Sequence, residues 1–119
     1  MTNDELIKRT KDFALAIIRF IQQLPRNETS MILRRQLLRS ATSVAANHRA
    51  SRRARSSAEF YAKISIVIEE ADESLFWLEI FRDSSIANPI ALEPLIREAD
   101  ELVRIFASTR KTLAKHKNH

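Results

Sequence analysis

The sequence predicts an all-α fold, an antiparallel up-down four-helix bundle built as a single domain over residues 1–119. Three observations carry that expectation. Four stretches repeat apolar residues at helical period and are joined by short connections. No stretch alternates apolar and polar residues with the β-branched enrichment of a strand. Glycine and cysteine are both absent, which removes Gly-rich phosphate loops, glycine-based hairpin turns and any disulfide framework. With 119 residues, 45% of them apolar and 29% charged, the chain can bury a core of its own. Amphipathic helices packed face to face are the economical way to do so.

The first helix is expected over residues 3–24. Leu6, Phe13, Ile17, Phe20 and Leu24 fall within a sector of about 60° at 100° per residue. Thr2 or Asn3 can cap its start, and Pro25 marks its stop. The second helix follows a short turn and is expected over residues 30–53, with Thr29 or Ser30 as cap. Its stripe is Leu33, Leu37, Ala41, Val44 and His48, and the small Ala41, Ala45 and Ala46 would let a neighbouring helix approach closely. The third, over residues 57–83, opens with Ser56-Ser57-Ala58-Glu59, a capping-box spelling. Phe60, Ile64, Val67, Ile68, Ala71, Leu75 and Leu78 share its inner face. The fourth is expected over residues 92–115, because Pro94 is harmless only in a first turn. Leu95, Ala99, Leu102, Phe106 and Leu113 form its stripe, and Arg110, Lys111, Lys115 and Lys117 suit the negative end of its dipole.

Charge is unevenly placed. The net charge is +5, with fourteen arginines against six lysines, and arginine favours bidentate contact with phosphate or carboxylate. From Arg26 to Ala58 there are eight arginines and one acid; from Glu59 to Ile86 there are seven acids, with Lys63 and Arg82. Arg35, Arg39, Arg49 and Arg53 point within about 40° of one direction, away from Leu37 and Val44. With Arg52 they form a candidate surface for nucleic-acid phosphates, RNA or DNA. A solvated face, or ion pairs with the acidic third helix of the same or another subunit, is the competing reading. No aromatic lies between Arg26 and Ala58, so binding there would be directed at the backbone, weakly selective for sequence and steeply salt-dependent.

The third helix is apolar on a second side as well. Ile66, Phe76, Trp77 and Ile80 project away from Ile64 and Leu75, and such a patch suits contact with another copy of the chain. Catalytic arrangements are not recognisable. His48 lies in line with Leu37, Ala41 and Val44, where a hydrogen-bonded core-edge histidine competes with a ligand or base. His116 and His119 have metal-compatible spacing but no acidic or thiol companion. No histidine follows three residues after a glutamate, as di-iron bundles require. Ser40, Ser43, Ser56, Ser57 and Ser65 read as packing and capping residues, since none stands in a nucleophile-elbow context. The expectation is a non-enzyme without cofactor or metal. The acidic N-terminus resembles no secretory signal and no apolar run is long enough for a bilayer, so the default location is cytoplasmic, without a membrane partner.

The central stretch resembles a known family. Gln36-Leu37-Leu38-Arg39-Ser40-Ala41-Thr42-Ser43-Val44 followed by Ala46-Asn47 is similar to the Gln-Leu-x-Arg-Ser-x-x-Ser-Val/Ile-x-x-Asn signature of small four-helix-bundle proteins named for 23S rRNA intervening sequences. Ala54-Arg55-Ser56, Glu59-Phe60, Lys63, Glu70-Ala71, Glu73 and Trp77-Leu78 continue the likeness. Leu95, Glu98-Ala99, Glu101-Leu102, Ile105-Phe106 and Lys111-Thr112 look like its last helix. The likeness spans about residues 25–112. Two departures are visible: relatives commonly carry a glycine where Ala45 stands, and an aromatic or Ile and then a Glu around His48 and Ala50. The resemblance implies a homopentameric ring without known catalytic activity. A similar bundle, the accessory variability determinant of diversity-generating retroelements, implies contact with nucleic acid and a reverse-transcriptase-like protein. Carried over, these associations favour Arg35, Arg39, Arg49, Arg52 and Arg53 as the nucleic-acid surface, and Phe76, Trp77 and Ile80 as a subunit interface.

Overall fold

A computed structural model of the chain describes residues 1–117, with side chains through residue 115. Four helices follow one another: α1 (Asn3–Ile21), α2 (Glu28–Ser51), α3 (Ser57–Asp83) and α4 (Pro89–Lys117). α1 and α3 each pack against both α2 and α4, which places the helices in chain order around a common core. The connections are too short to carry the chain back along the bundle, so successive helices reverse direction. The result is a rod of 51 × 23 × 21 Å. No strand occurs among the described residues, and the fold class is the one expected.

The helix ends show which local signals prevailed. Thr2 caps α1, and a reciprocal pair of hydrogen bonds with Glu5 completes a capping box. The regular helix stops at Ile21, three residues short of expectation. Gln23 and Leu24 continue as tight turns, donating to the Phe20 and Ile21 carbonyls, and Leu24 still reaches the core. α2 begins earlier than expected because Asn27, rather than Thr29 or Ser30, is the cap, its side chain accepting from the Ser30 N–H. Ser30 is itself buried. At the start of α3, Ser56 accepts from the Glu59 N–H as its spelling suggests, but the Glu59 carboxylate takes the Arg55 N–H instead of closing the box.

The start of α4 is a third boundary that differs from expectation. The helix starts at Pro89, where the Asn88 side chain accepts from the Ile90 N–H, and it continues through Pro94 in its second turn. The hydrogen bond that Pro94 cannot make would have gone to the Ile90 carbonyl. Ile90 is 82% exposed, so water can serve that carbonyl and the helix tolerates the proline.

A chain without glycine must still leave α3. Ser85 does so at φ 60, in the left-handed region where a Cβ is disfavoured by roughly 1–2 kcal/mol, while its N–H bonds the Arg82 carbonyl. Ser85→Gly is therefore expected to stabilise the fold by about 1 kcal/mol, seen as a raised midpoint in urea unfolding. An unchanged or lowered midpoint would show that Ser85 carries no such strain.

The core contains Phe13, Ile17, Leu37, Ala41, Ile64, Val67, Leu78, Phe81, Leu92, Leu102 and Phe106, with residues from every helix. The α2–α3 seam is lined by small residues: Ser74 donates to Ser40 at 2.9 Å, and Ser40 donates to the Leu37 carbonyl. Both serines are fully buried, which fits the packing role expected of Ser40. The α1–α4 seam is closed by charge. Arg9 donates through Nε and Nη2 to the two Glu98 oxygens, at 2.8 and 2.6 Å, and its Nη2 lies 3.0 Å from Glu101. The Glu98 contact above all holds the Arg9 guanidinium protonated, above its ordinary range.

Candidate nucleic-acid interface

The expected arginine ridge is not one continuous surface. Arg39, the ridge's second member, is held by α3: its guanidinium donates to Glu70 at 3.0 Å and also to Glu73. The Glu73 hydrogen bond is the leading reason that Arg39 stays above its ordinary pKa. Arg39 as a free phosphate-binding cation is thus corrected, because the antiparallel α2–α3 contact sets two carboxylates from the acidic helix opposite it. Arg35 is exposed, one turn before Arg39, and has no ion-pair partner among the described residues. It stands about 21 Å along α2 from Arg49.

The last turns of α2 differ. Arg49 in the last turn, and Arg52 and Arg53 just past the helix end, are exposed, and among the described residues no carboxylate pairs with them. Arg52 lies 5.6 Å from the centre of the Phe60 ring, a cation–π distance. Arg49 and Arg53 are shared by two neighbouring grooves. One runs between α1 and α2, encloses about 480 Å³ and is lined by Ile7, Lys11, Ala14, Thr42, Ala45, Ala46, Arg49, Arg52 and Arg53. The other lies between α2 and α3, also about 480 Å³, with Ala46, Arg49, Ala50, Arg53, Arg55, Glu59 and Lys63. Six cations therefore gather at one end of the bundle around a single lining carboxylate, Glu59.

Lys11, Arg55 and Lys63 are additions to the expected set. Ile7, Lys11 and Ala14 follow helical spacing, so a common face of α1 was readable; that it borders the end of α2 depends on the antiparallel pairing. The grooves exist because Ala45 and Ala46 carry no bulk. Those alanines were expected to admit a neighbouring helix, yet Ala46 is exposed, and only Ala41 is buried in the helix contact. Arg34, by contrast, turns inward to the α1–α2 connection and donates to the Leu24 and Pro25 carbonyls at 3.2 and 2.9 Å.

His48 sits beneath this surface. It is 2% exposed, with its Nδ1 at 3.5 Å from the Thr10 hydroxyl and its ring 4.9 Å from that of Phe106. Burial first, and then the nearby Arg52 charge, push its pKa down to about 4. It is a neutral core histidine at neutral pH. Among the described residues no three His, Asp or Glu side chains gather as metal ligands. The His116 side chain and all of His119 lie outside the described residues.

The second apolar side of α3 is narrower than its composition suggests. Phe76 is 52% exposed, while Ile66, Trp77 and Ile80 are only partly exposed. Trp77 packs partly against the core, meets Phe76 edge-on at 4.9 Å and donates from Nε1 to Glu73 at 3.2 Å. The expectation of a broad free patch is corrected in this respect: the bundle itself covers much of the Trp77 ring. None of the helices is long and apolar enough to cross a membrane, among the described residues.

Comparison with known proteins agrees with this architecture. No curated protein matches the chain. Among solved structures, the chain is similar to a protein of unknown function from the S23 ribosomal protein family of Bacteroides thetaiotaomicron. The two share 27% identity and a TM-score of 0.85, over 93% of this chain and 99% of that one. The family described as 23S rRNA-intervening sequence protein matches residues 2–108. A match over nearly the whole length, on a four-helix structure that superposes this well, places the chain in the 23S rRNA-intervening sequence protein family.

Proposed function

We propose that the chain is a non-catalytic subunit that binds nucleic-acid phosphates through the cationic end of the bundle, where α2 finishes. The observation that carries this reading is the pair Arg49 and Arg53, exposed, without carboxylate partners among the described residues and shared by two grooves that Lys11, Arg52, Arg55 and Lys63 also border. Guanidinium groups arranged in this way take phosphate oxygens in pairs. Arg39 is left out of the set, since Glu70 and Glu73 already neutralise it.

Self-association belongs to the same proposal, as a homo-oligomeric ring with five subunits by family resemblance. Phe76, half exposed beside Trp77 on a helix that also presents Glu69 and Asp72 to solvent, offers a contact for a second copy. The rival reading is a protein-interaction scaffold in which the remaining arginines pair with α3 of a neighbouring subunit. Arg39 demonstrates within one chain that α2 arginines and α3 glutamates can pair.

Arg49→Glu combined with Arg53→Glu separates the two. Affinity for an unstructured RNA is expected to fall at least about tenfold, and binding of the unaltered protein should weaken by orders of magnitude between about 50 and about 200 mM salt. The assembly mass by light scattering should stay unchanged. Dissociation of the assembly by the same double change would favour the scaffold. Salt-independent binding, or none at all, would remove the phosphate reading.

A further inference from the structure

We infer that the α1–α2 groove receives an unpaired base, so that the protein prefers single-stranded over double-stranded nucleic acid. This rests on the phosphate reading and adds the class of strand. The groove is not uniformly polar. Its floor is aliphatic, formed by Ile7, Ala14 and Ala46, and its rim is cationic, formed by Lys11, Arg49 and Arg53. A phosphate alone uses only the rim; the floor is left against water. A ligand that fits both must carry anionic oxygens beside a flat, weakly polar body, and a nucleotide with an unpaired base has that make-up. At about 480 Å³ the groove has room for such a ring.

A duplex cannot use the floor, because its bases are stacked and paired inside the helix and reach a protein pocket only by leaving the stack. The floor lacks aromatic side chains, so a base would gain by shedding water from its face rather than by ring stacking. The preference would therefore be indifferent to sequence. Removing about 60 Å² of apolar surface from water corresponds to about tenfold in affinity. The Thr42 hydroxyl at the groove wall already donates to the Leu38 carbonyl at 2.7 Å. It remains able only to accept from an incoming base, a contact too generic to select one base over another.

The test compares three probes at equal phosphate count and equal salt: a fluorescent single-stranded oligouridine, an RNA duplex and an abasic strand. The single strand is expected to bind about tenfold more tightly than the duplex or the abasic strand. Ala46→Phe, at an exposed helix position, fills the groove and should erase the difference between the single strand and the other two probes. Equal affinity for all three probes would overturn the inference and leave the phosphate reading standing. Loss of binding to all three would remove both. A change in assembly mass caused by Ala46→Phe would assign the groove to a second copy of the chain, and the inference would fall. The abasic comparison needs no variant, so it decides the matter even if Ala46→Phe misfolds.

Discussion

Phe81→Ala is expected to lower the unfolding free energy by roughly 3–5 kcal/mol. Phe81 is fully buried near the end of α3 and meets Phe20 of α1 edge-on, with ring centres 5.8 Å apart and planes at 86°. Removing the ring forfeits its transfer from water and leaves a void that neighbouring helices fill only in part. It also removes an aromatic pair of favourable geometry. Because a domain of this size has about a tenth of a kilocalorie per mole per residue in hand, roughly 5–15 kcal/mol in all, the variant should stand near the edge of unfolding. Urea unfolding followed by circular dichroism measures the loss. A change below about 1 kcal/mol would mean that Phe81 is not a central core contact.

Acid should destabilise the protein through His48 before the carboxylates respond. The buried ring has its pKa lowered from 6.5 to about 4, so between these values the unfolded chain takes up a proton that the folded chain refuses. The contribution is fully present above about pH 6.5, declines as pH falls, and levels off below about pH 4. Across the whole window the loss is roughly 3 kcal/mol. Its upper part, above about pH 5, precedes the titration of ordinary carboxylates and so isolates the histidine. His48→Leu should flatten the stability profile there, and the ring contact with Phe106 favours an apolar replacement of similar bulk. A profile with the same slope after the substitution would place the acid sensitivity on a group other than His48.

The fold was readable because each helix announces its inner face locally. Phe13, Ile17 and Phe20 on α1, Leu37, Ala41 and Val44 on α2, and Leu102 and Phe106 on α4 were marked by spacing and are all buried. His48 belonged to the same stripe and is buried with them. Boundaries were less readable, since they depend on which of several neighbouring polar residues takes a free N–H. Asn27 prevailed over Thr29 and Ser30 at α2, and the solvent around Ile90 let α4 run through Pro94.

The arginines show where local reading stops. Arg34, Arg35, Arg39 and Arg49 on α2 and Arg53 just past its end have the same side chain, yet one clamps backbone carbonyls, one is neutralised by α3 and three remain in water. Composition and period determined that α2 is basic, that α3 is acidic and which sides of them are apolar. Only the tertiary structure decided which charges meet, because pairing acts across helices over a few ångströms, and the antiparallel register alone sets Glu70 and Glu73 opposite Arg39 while bringing Lys11 alongside Arg49. Helical period is a property of adjacent residues; electrostatic neutralisation is a property of residues that the fold brings together.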